Sequence, residues 1–169
     1  MNSASGTTRK IVIASMLAAL TCVATMVIKI PSPMKGYLNL GDCVVLLSGW
    51  LLPPMYGALA AGIGSALADL FSGYVSYVPA TFVIKALMAL CACFLARRLS
   101  LHLKPISARA ISGIAAEIIM VLGYLAFESL LYGFLPSAVN VLPNAIQGIV
   151  GLILGLVLAR VFDSTRLLP

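Results

Sequence analysis

Six apolar runs divide this chain, and nearly all of its charged residues fall between them. The runs cover roughly residues 9–30, 41–52, 55–71, 79–96, 109–132 and 140–162. About 20 apolar residues in a helix cross the ~30 Å hydrocarbon layer of a bilayer, and all six runs qualify, two of them only marginally. Hydrophobic residues make up 62% of the 169, and charged residues 9%, against about 25% in soluble domains. A soluble core of this size cannot hide so much apolar surface. The expectation is one domain over residues 1–169: an all-α integral membrane protein, a six-transmembrane-helix bundle, multi-pass in a prokaryotic plasma membrane.

The basic residues set the expected orientation. Arg9, Lys10, Arg97, Arg98, Lys104, Arg109, Arg160 and Arg166 fall on one side, Lys29 and Lys35 on the other, and Lys85 lies inside the fourth run. Cytoplasmic segments carry the excess of Lys and Arg, so both termini are expected in the cytoplasm. The formal net charge of +6 is thereby a topological signal. No basic stripe is interleaved with aromatics, so a nucleic-acid partner is not expected. The first run is too long for a signal-peptide core and reads as a retained helix.

Cys22, Cys43, Cys91 and Cys93 lie in or beside apolar runs. Cys91 and Cys93 are too close on one helix to bond each other. No further ligand stands at metal spacing, so the cysteines read as small packing residues. Neither a metal nor a cofactor is expected.

The stretch "GYLNLGDCVVLLSGWLLPP", residues 36–54, opens with polar residues and stops early at Pro53-Pro54. Proline lacks a backbone donor and disfavours helix at the residue before it. The second and third runs are therefore separate helices joined by a tight turn. A helix this short needs protein rather than lipid around its outer end, since irregular backbone at membrane depth survives only when buried or lining a cavity. Tyr37 to Asp42 are expected to wall or roof such a cavity.

Ionisable residues within spans face a cavity or one another. Here they are Asp42, Asp69, Lys85, Glu117 and Glu128. Asp69 and Lys85 both fall in the outer half, either as a structural ion pair or as ligand contacts. Glu117, Val121, Tyr124 and Glu128 share one helical face; Tyr124 and Glu128 lie toward the outside, and Glu117 can bond within the bundle. Asn140, Asn144, Gln147 and Gly151 share a face of the sixth run. Their amides serve either interhelical hydrogen bonding or a site, and the adjacent glycine, which leaves room, favours a site. Tyr74 and Tyr77 fall in an outer loop, and an interfacial belt is the expected role of one of them; Trp50 also reads as a belt residue. Small residues four apart recur in the first, third and sixth runs. They suit internal packing, and for Ala14 and Ala18 equally a docking face for another subunit.

Together, "YLNLGDCVVLLSGWLLPPMYGALAAGIGSALADLFSGY" and "PATFVIKALMAL" resemble the substrate-binding S components of energy-coupling factor (ECF) transporters, over nearly the whole chain. "PNAIQGIVG" is similar to the subgroup for hydroxymethylpyrimidine and vitamin B6. Pro53-Pro54 departs from the more usual glycine-proline pair. The resemblance implies a membrane capture subunit with a single outward site closed by the loop after the first helix. It implies that Ala14 and Ala18 meet a transmembrane coupling subunit, and that two cytoplasmic ATPases drive import. Expected ligand contacts are Tyr37, Asn39, Asp69, Lys85, Tyr124, Glu128, Asn144 and Gln147. An aromatic such as Tyr37 would stack on a flat ring, Asn144 and Gln147 would read its polar edge, Glu128 would accept from a hydroxyl or amine, and Asp69 or Lys85 would orient the set. The chain carries no Gly-x-x-x-x-Gly-Lys-Ser/Thr loop. Its lone His102 lies in a basic loop with no nucleophile–base pair or metal set, so an enzyme is not expected. A stand-alone proton-coupled transporter and an S component for queuine or tryptophan are the alternatives.

Overall fold

A computed structural model describes residues 3–31 and 37–165; the expectations placed on Lys35 and Arg166 fall outside them. The chain runs α1 (Ser3–Val27), a two-residue hairpin of β1 (Ile30–Pro31) and β2 (Tyr37–Leu38), α2 (Gly41–Leu51), α3 (Pro54–Phe71), a 3-10 turn (Val75–Tyr77), α4 (Val78–Leu99), α5 (Pro105–Tyr132), α6 (Phe134–Ala138) and α7 (Val141–Thr165). The hairpin is antiparallel and pairs Ile30 with Leu38 and Pro31 with Tyr37. Four helical stretches are long and apolar enough to cross a membrane: Gly6–Val27, Val75–Leu99, Pro105–Tyr132 and Phe134–Ser164. This is a multi-pass helical membrane bundle.

Proline marks the starts of α3, α4 and α5, where its missing N–H would be unsatisfied anyway. At the other end of α2 the freed Leu52 carbonyl accepts from Arg97 Nη2 at 3.2 Å. That bond occupies one of the carbonyls a helix end leaves without a partner.

The packing explains why α2 can be short. It is the central helix: α1, α3, α4, α5 and α7 all contact it. Every residue from Gly41 to Gly49 is buried. A helix that is apolar all round belongs in a protein interior, and α2 meets protein, not lipid, on all sides. Val45, Leu46, Met88 and Met120 form the core between α2, α4 and α5. Outward-facing Met16, Val23, Ile118, Leu122, Ile149 and Ile153 stay exposed, as lipid contact requires.

Close approach depends on small residues. A Cβ on Gly49 would lie 2.5 Å from the Ala89 carbonyl oxygen, and one on Gly151 would lie 2.7 Å from Asp42 Cβ. A Cβ on Gly57 of α3 would lie 2.5 Å from the Ser48 carbonyl oxygen, so the strips on α3 and α7 serve internal packing. On α1, Ala18 packs its backbone against Gly64 of α3. Ala14 and Ala18 also line a surface groove between α1 and α3, with Leu59, Ile63 and Leu67.

Trp50 departs from the expected belt position. It is half-buried and donates from Nε1 to Ser112 Oγ at 3.1 Å, inside the bundle. The chain also forms a short helix not expected from the apolar runs, α6, after the positive-φ Gly133.

Candidate functional site

The polar residues of the apolar runs meet at one end of the bundle. The hairpin delivers Tyr37 and the following Asn39; the end of α3 delivers Asp69; the turn into α4 delivers Tyr74, Tyr77 and Thr81; α5 delivers Tyr124 and Glu128; α7 delivers Asn144 and Gln147. Together they line a small cavity of about 40 Å³ that is partly open to solvent.

Two layers of hydrogen bonds hold this wall. In the deeper layer, Lys85 Nζ pairs with Asp42 Oδ1, both side chains buried. Gln147 Nε2 donates to Asp42 Oδ2 at 2.6 Å. Gln147 Oε1 accepts from the backbone N–H of Asn39 at 2.9 Å and from Asn39 Nδ2 at 3.3 Å. Asn39 Oδ1 in turn accepts from the Gly41 N–H at 2.8 Å, satisfying one of the donors that a helix start leaves free. Loop, central helix and α7 are therefore joined through a single amide.

The outer layer is phenolic. Tyr37 OH donates to Asp69 Oδ1 at 2.6 Å. Burial, and after it the neighbouring Asp69 charge, hold this hydroxyl above the ordinary phenol range, so it stays a donor. Tyr77 OH donates to Glu128 Oε1 at 3.3 Å, and Asn140 Nδ2 donates to Glu128 Oε2 at 2.9 Å. Thr81 and Tyr124 share a hydroxyl bond at 3.1 Å. The rings of Tyr37 and Tyr74 lie 4.9 Å apart, and Tyr74 meets Tyr77 edge-on at 6.2 Å.

Of the residues expected from sequence, Tyr37, Asn39, Asp69, Tyr124, Glu128, Asn144 and Gln147 line the cavity; Lys85 does not. Lys85 is not paired with Asp69 either. It is tied to Asp42 below the wall, where a buried ammonium needs a counter-charge. Glu117, on the same helix face as Tyr124, is buried with neither carboxyl oxygen hydrogen-bonded among the described residues. Thr81 was not among the expected site residues, and Tyr77 was placed only in an outer loop. Their signal was the "SYVPAT" stretch, where one turn of α4 brings Tyr77 and Thr81 onto one face.

Comparison with known proteins agrees with this architecture. The family model for "ECF-type riboflavin transporter, S component" matches residues 5–163. A Pyrococcus woesei protein described as "Uncharacterized protein in gap 3'region" is 34% identical over 134 residues, covering 79% of this chain and 87% of the relative. The solved structure reported under "Structure and mechanism of the S component of a bacterial ECF transporter" superposes with a TM-score of 0.72 at 22% identity, over 95% of this chain and 99% of that one. At that identity the likeness speaks for the fold. A match that spans almost the whole chain, on a bundle with this cavity at one end, establishes the lineage: the chain belongs to the ECF-type riboflavin transporter S component family and is a substrate-binding component of an ECF transporter.

Proposed function

We propose that this protein is the high-affinity capture subunit of an ATP-driven importer for a small heteroaromatic vitamin or cofactor precursor of the hydroxymethylpyrimidine or vitamin B6 type. One observation carries the reading: Tyr37, Asn39, Asp69, Tyr124, Glu128, Asn144 and Gln147 converge on a single cavity walled by tyrosines. Tyrosine faces suit a flat ring. Asn144 and Gln147 would read its polar edge, and Glu128 and Asp69 would accept from hydroxyl or amino groups. In this reading the cavity opens outward and the termini are cytoplasmic. Lys85 takes a positioning role through Asp42 instead of touching ligand. Ala14 and Ala18 would meet a transmembrane coupling subunit, with two cytoplasmic ATPases supplying the energy. The chain acts as a binding component and not as an enzyme.

A second reading takes riboflavin as the cargo, because the matching family is described by that substrate. Calorimetric titration of the purified chain in nanodiscs separates the two. The expected result is saturable binding of a hydroxymethyl-substituted aminopyrimidine or of pyridoxine, and none of riboflavin. Riboflavin binding alone would replace the cargo while leaving the capture role. Binding of none of these compounds would overturn the heteroaromatic reading.

A further inference from the structure

The charges around the cavity do not balance. Two carboxyl groups, Asp69 and Glu128, line it, and among the described lining residues there is no Lys, Arg or His. Two ammonium groups stand near the lining tyrosines, and both are engaged. Lys85 Nζ pairs with Asp42, 5.5 Å from the Tyr124 ring centroid. Lys29 Nζ donates to Ser72 Oγ, 5.4 Å from the Tyr37 ring centroid.

Most of the donors are spent as well. Tyr37 donates its hydroxyl hydrogen bond to Asp69, Tyr77 to Glu128, and Gln147 its amide hydrogen bond to Asp42. The amide of Asn140 also goes to Glu128, and the backbone N–H of Asn39 goes to Gln147. A phenol that has donated still accepts, and each carboxyl oxygen has a second lone pair. What the wall leaves over is mainly acceptors, with the Asn144 amide and the Tyr74 hydroxyl as the exceptions: neither side chain makes a hydrogen bond among the described residues.

We propose that this cavity selects a ligand rich in hydrogen-bond donors and free of negative charge, such as an amino-bearing or protonated ring, and rejects the phosphate ester of the same molecule. The proposal deepens the capture reading above and rests on it. An anionic group in the cavity would lie beside two carboxyl groups, with no cation among the described lining residues to pair with, and an unpaired buried charge is costly. A ring N–H or ammonium instead makes charge-assisted bonds to Asp69 or Glu128 and lies among tyrosine faces that attract cations. The subunit would then import free vitamins and leave their phosphorylated forms outside.

The test is calorimetric titration of the full chain in nanodiscs with matched pairs. The first pair is a hydroxymethyl-substituted aminopyrimidine and its phosphate monoester. The second is riboflavin and its phosphate ester, so that the outcome does not depend on ring identity. The corresponding pyrimidinone, with a carbonyl in place of the amino group, is a third probe. For whichever ring binds, the ester is expected to bind at least ~100-fold more weakly, and the pyrimidinone at least ~10-fold more weakly than the aminopyrimidine. In an Asp69→Asn/Glu128→Gln double variant the gap between free alcohol and ester should shrink. If that variant does not fold, the wild-type comparison decides alone. An ester that binds within about threefold of its alcohol overturns the inference and leaves the capture reading intact. Failure of every ring compound to bind removes the heteroaromatic capture reading, and the inference with it.

Discussion

Gln147 and Asp42, 105 residues apart in sequence, meet side chain to side chain at 2.6 Å in the bundle interior. Gln147 sits on α7 and Asp42 at the start of α2, and the other end of the same amide holds Asn39. One side chain thus couples the floor of the cavity to the loop that walls it.

Gln147→Ala removes this clasp. It leaves Asp42 one donor short and releases Asn39, so stability should fall by about 1–3 kcal/mol, read as a lower melting temperature by Trp50 fluorescence. Ligand affinity should drop at least ~10-fold. Gln147→Glu should do more harm, because it sets a second carboxyl against Asp42. An unchanged melting curve for Gln147→Ala would show that the clasp contributes nothing.

The Lys85–Asp42 pair is buried, at 3% and 0% side-chain exposure. Removing one partner strands the other's charge. Lys85→Met is expected to cost about 3–5 kcal/mol, with the Lys85→Met/Asp42→Leu double variant recovering part of that loss. A double-mutant cycle on unfolding measures it, and strict additivity would argue against a coupled pair.

Asn144 is half-buried, and its side chain makes no hydrogen bond among the described residues. Asn144→Ala should therefore leave the melting temperature in place. Ligand binding should weaken by about 1–2 kcal/mol, roughly 5- to 30-fold. Wild-type affinity in this variant would take Asn144 out of the site.

Gly151 lies where α7 crosses the start of α2, and a Cβ there would come 2.7 Å from Asp42 Cβ. Gly151→Val should push the helices apart at a cost of about 1–3 kcal/mol. Gly6 has open space around it, and Gly6→Ala should be neutral or slightly stabilising in a helix. Equal melting temperatures for the two variants would contradict the packing described.

Ala14 is half-buried on the groove between α1 and α3, away from the cavity. Ala14→Trp should preserve ligand binding by the isolated chain and abolish uptake when the chain is reconstituted with its coupling subunit and ATPases. Undiminished uptake would rule out docking on this strip.

Much of the site was legible because polar residues are rare in apolar runs. Asp69, Glu128, Asn144 and Gln147 stand out for that reason alone, and helical spacing already puts Tyr124 with Glu128 and Asn144 with Gln147. What spacing cannot supply is the identity of the opposing helix. A pair with Asp69 was one of the two roles expected for Lys85, the other being ligand contact, since both lie toward the same side of the membrane. The bundle instead places Asp42 against Lys85 and gives Asp69 the hydroxyl of Tyr37.

The sequence by itself determined that this chain lives in a membrane, where its helices break, and which residues are too polar to face lipid. Hydropathy and the proline bond restrictions are local properties, so they can be read one segment at a time. The tertiary structure alone decided that α2 is the hidden central helix, that Trp50 turns inward to Ser112, and that Tyr77 and Thr81 join the wall. Those outcomes depend on how far each helix rotates and how closely it approaches its neighbours. That is settled by contacts such as Gly49 on Ala89 and Gly151 on Asp42, between segments distant in the chain.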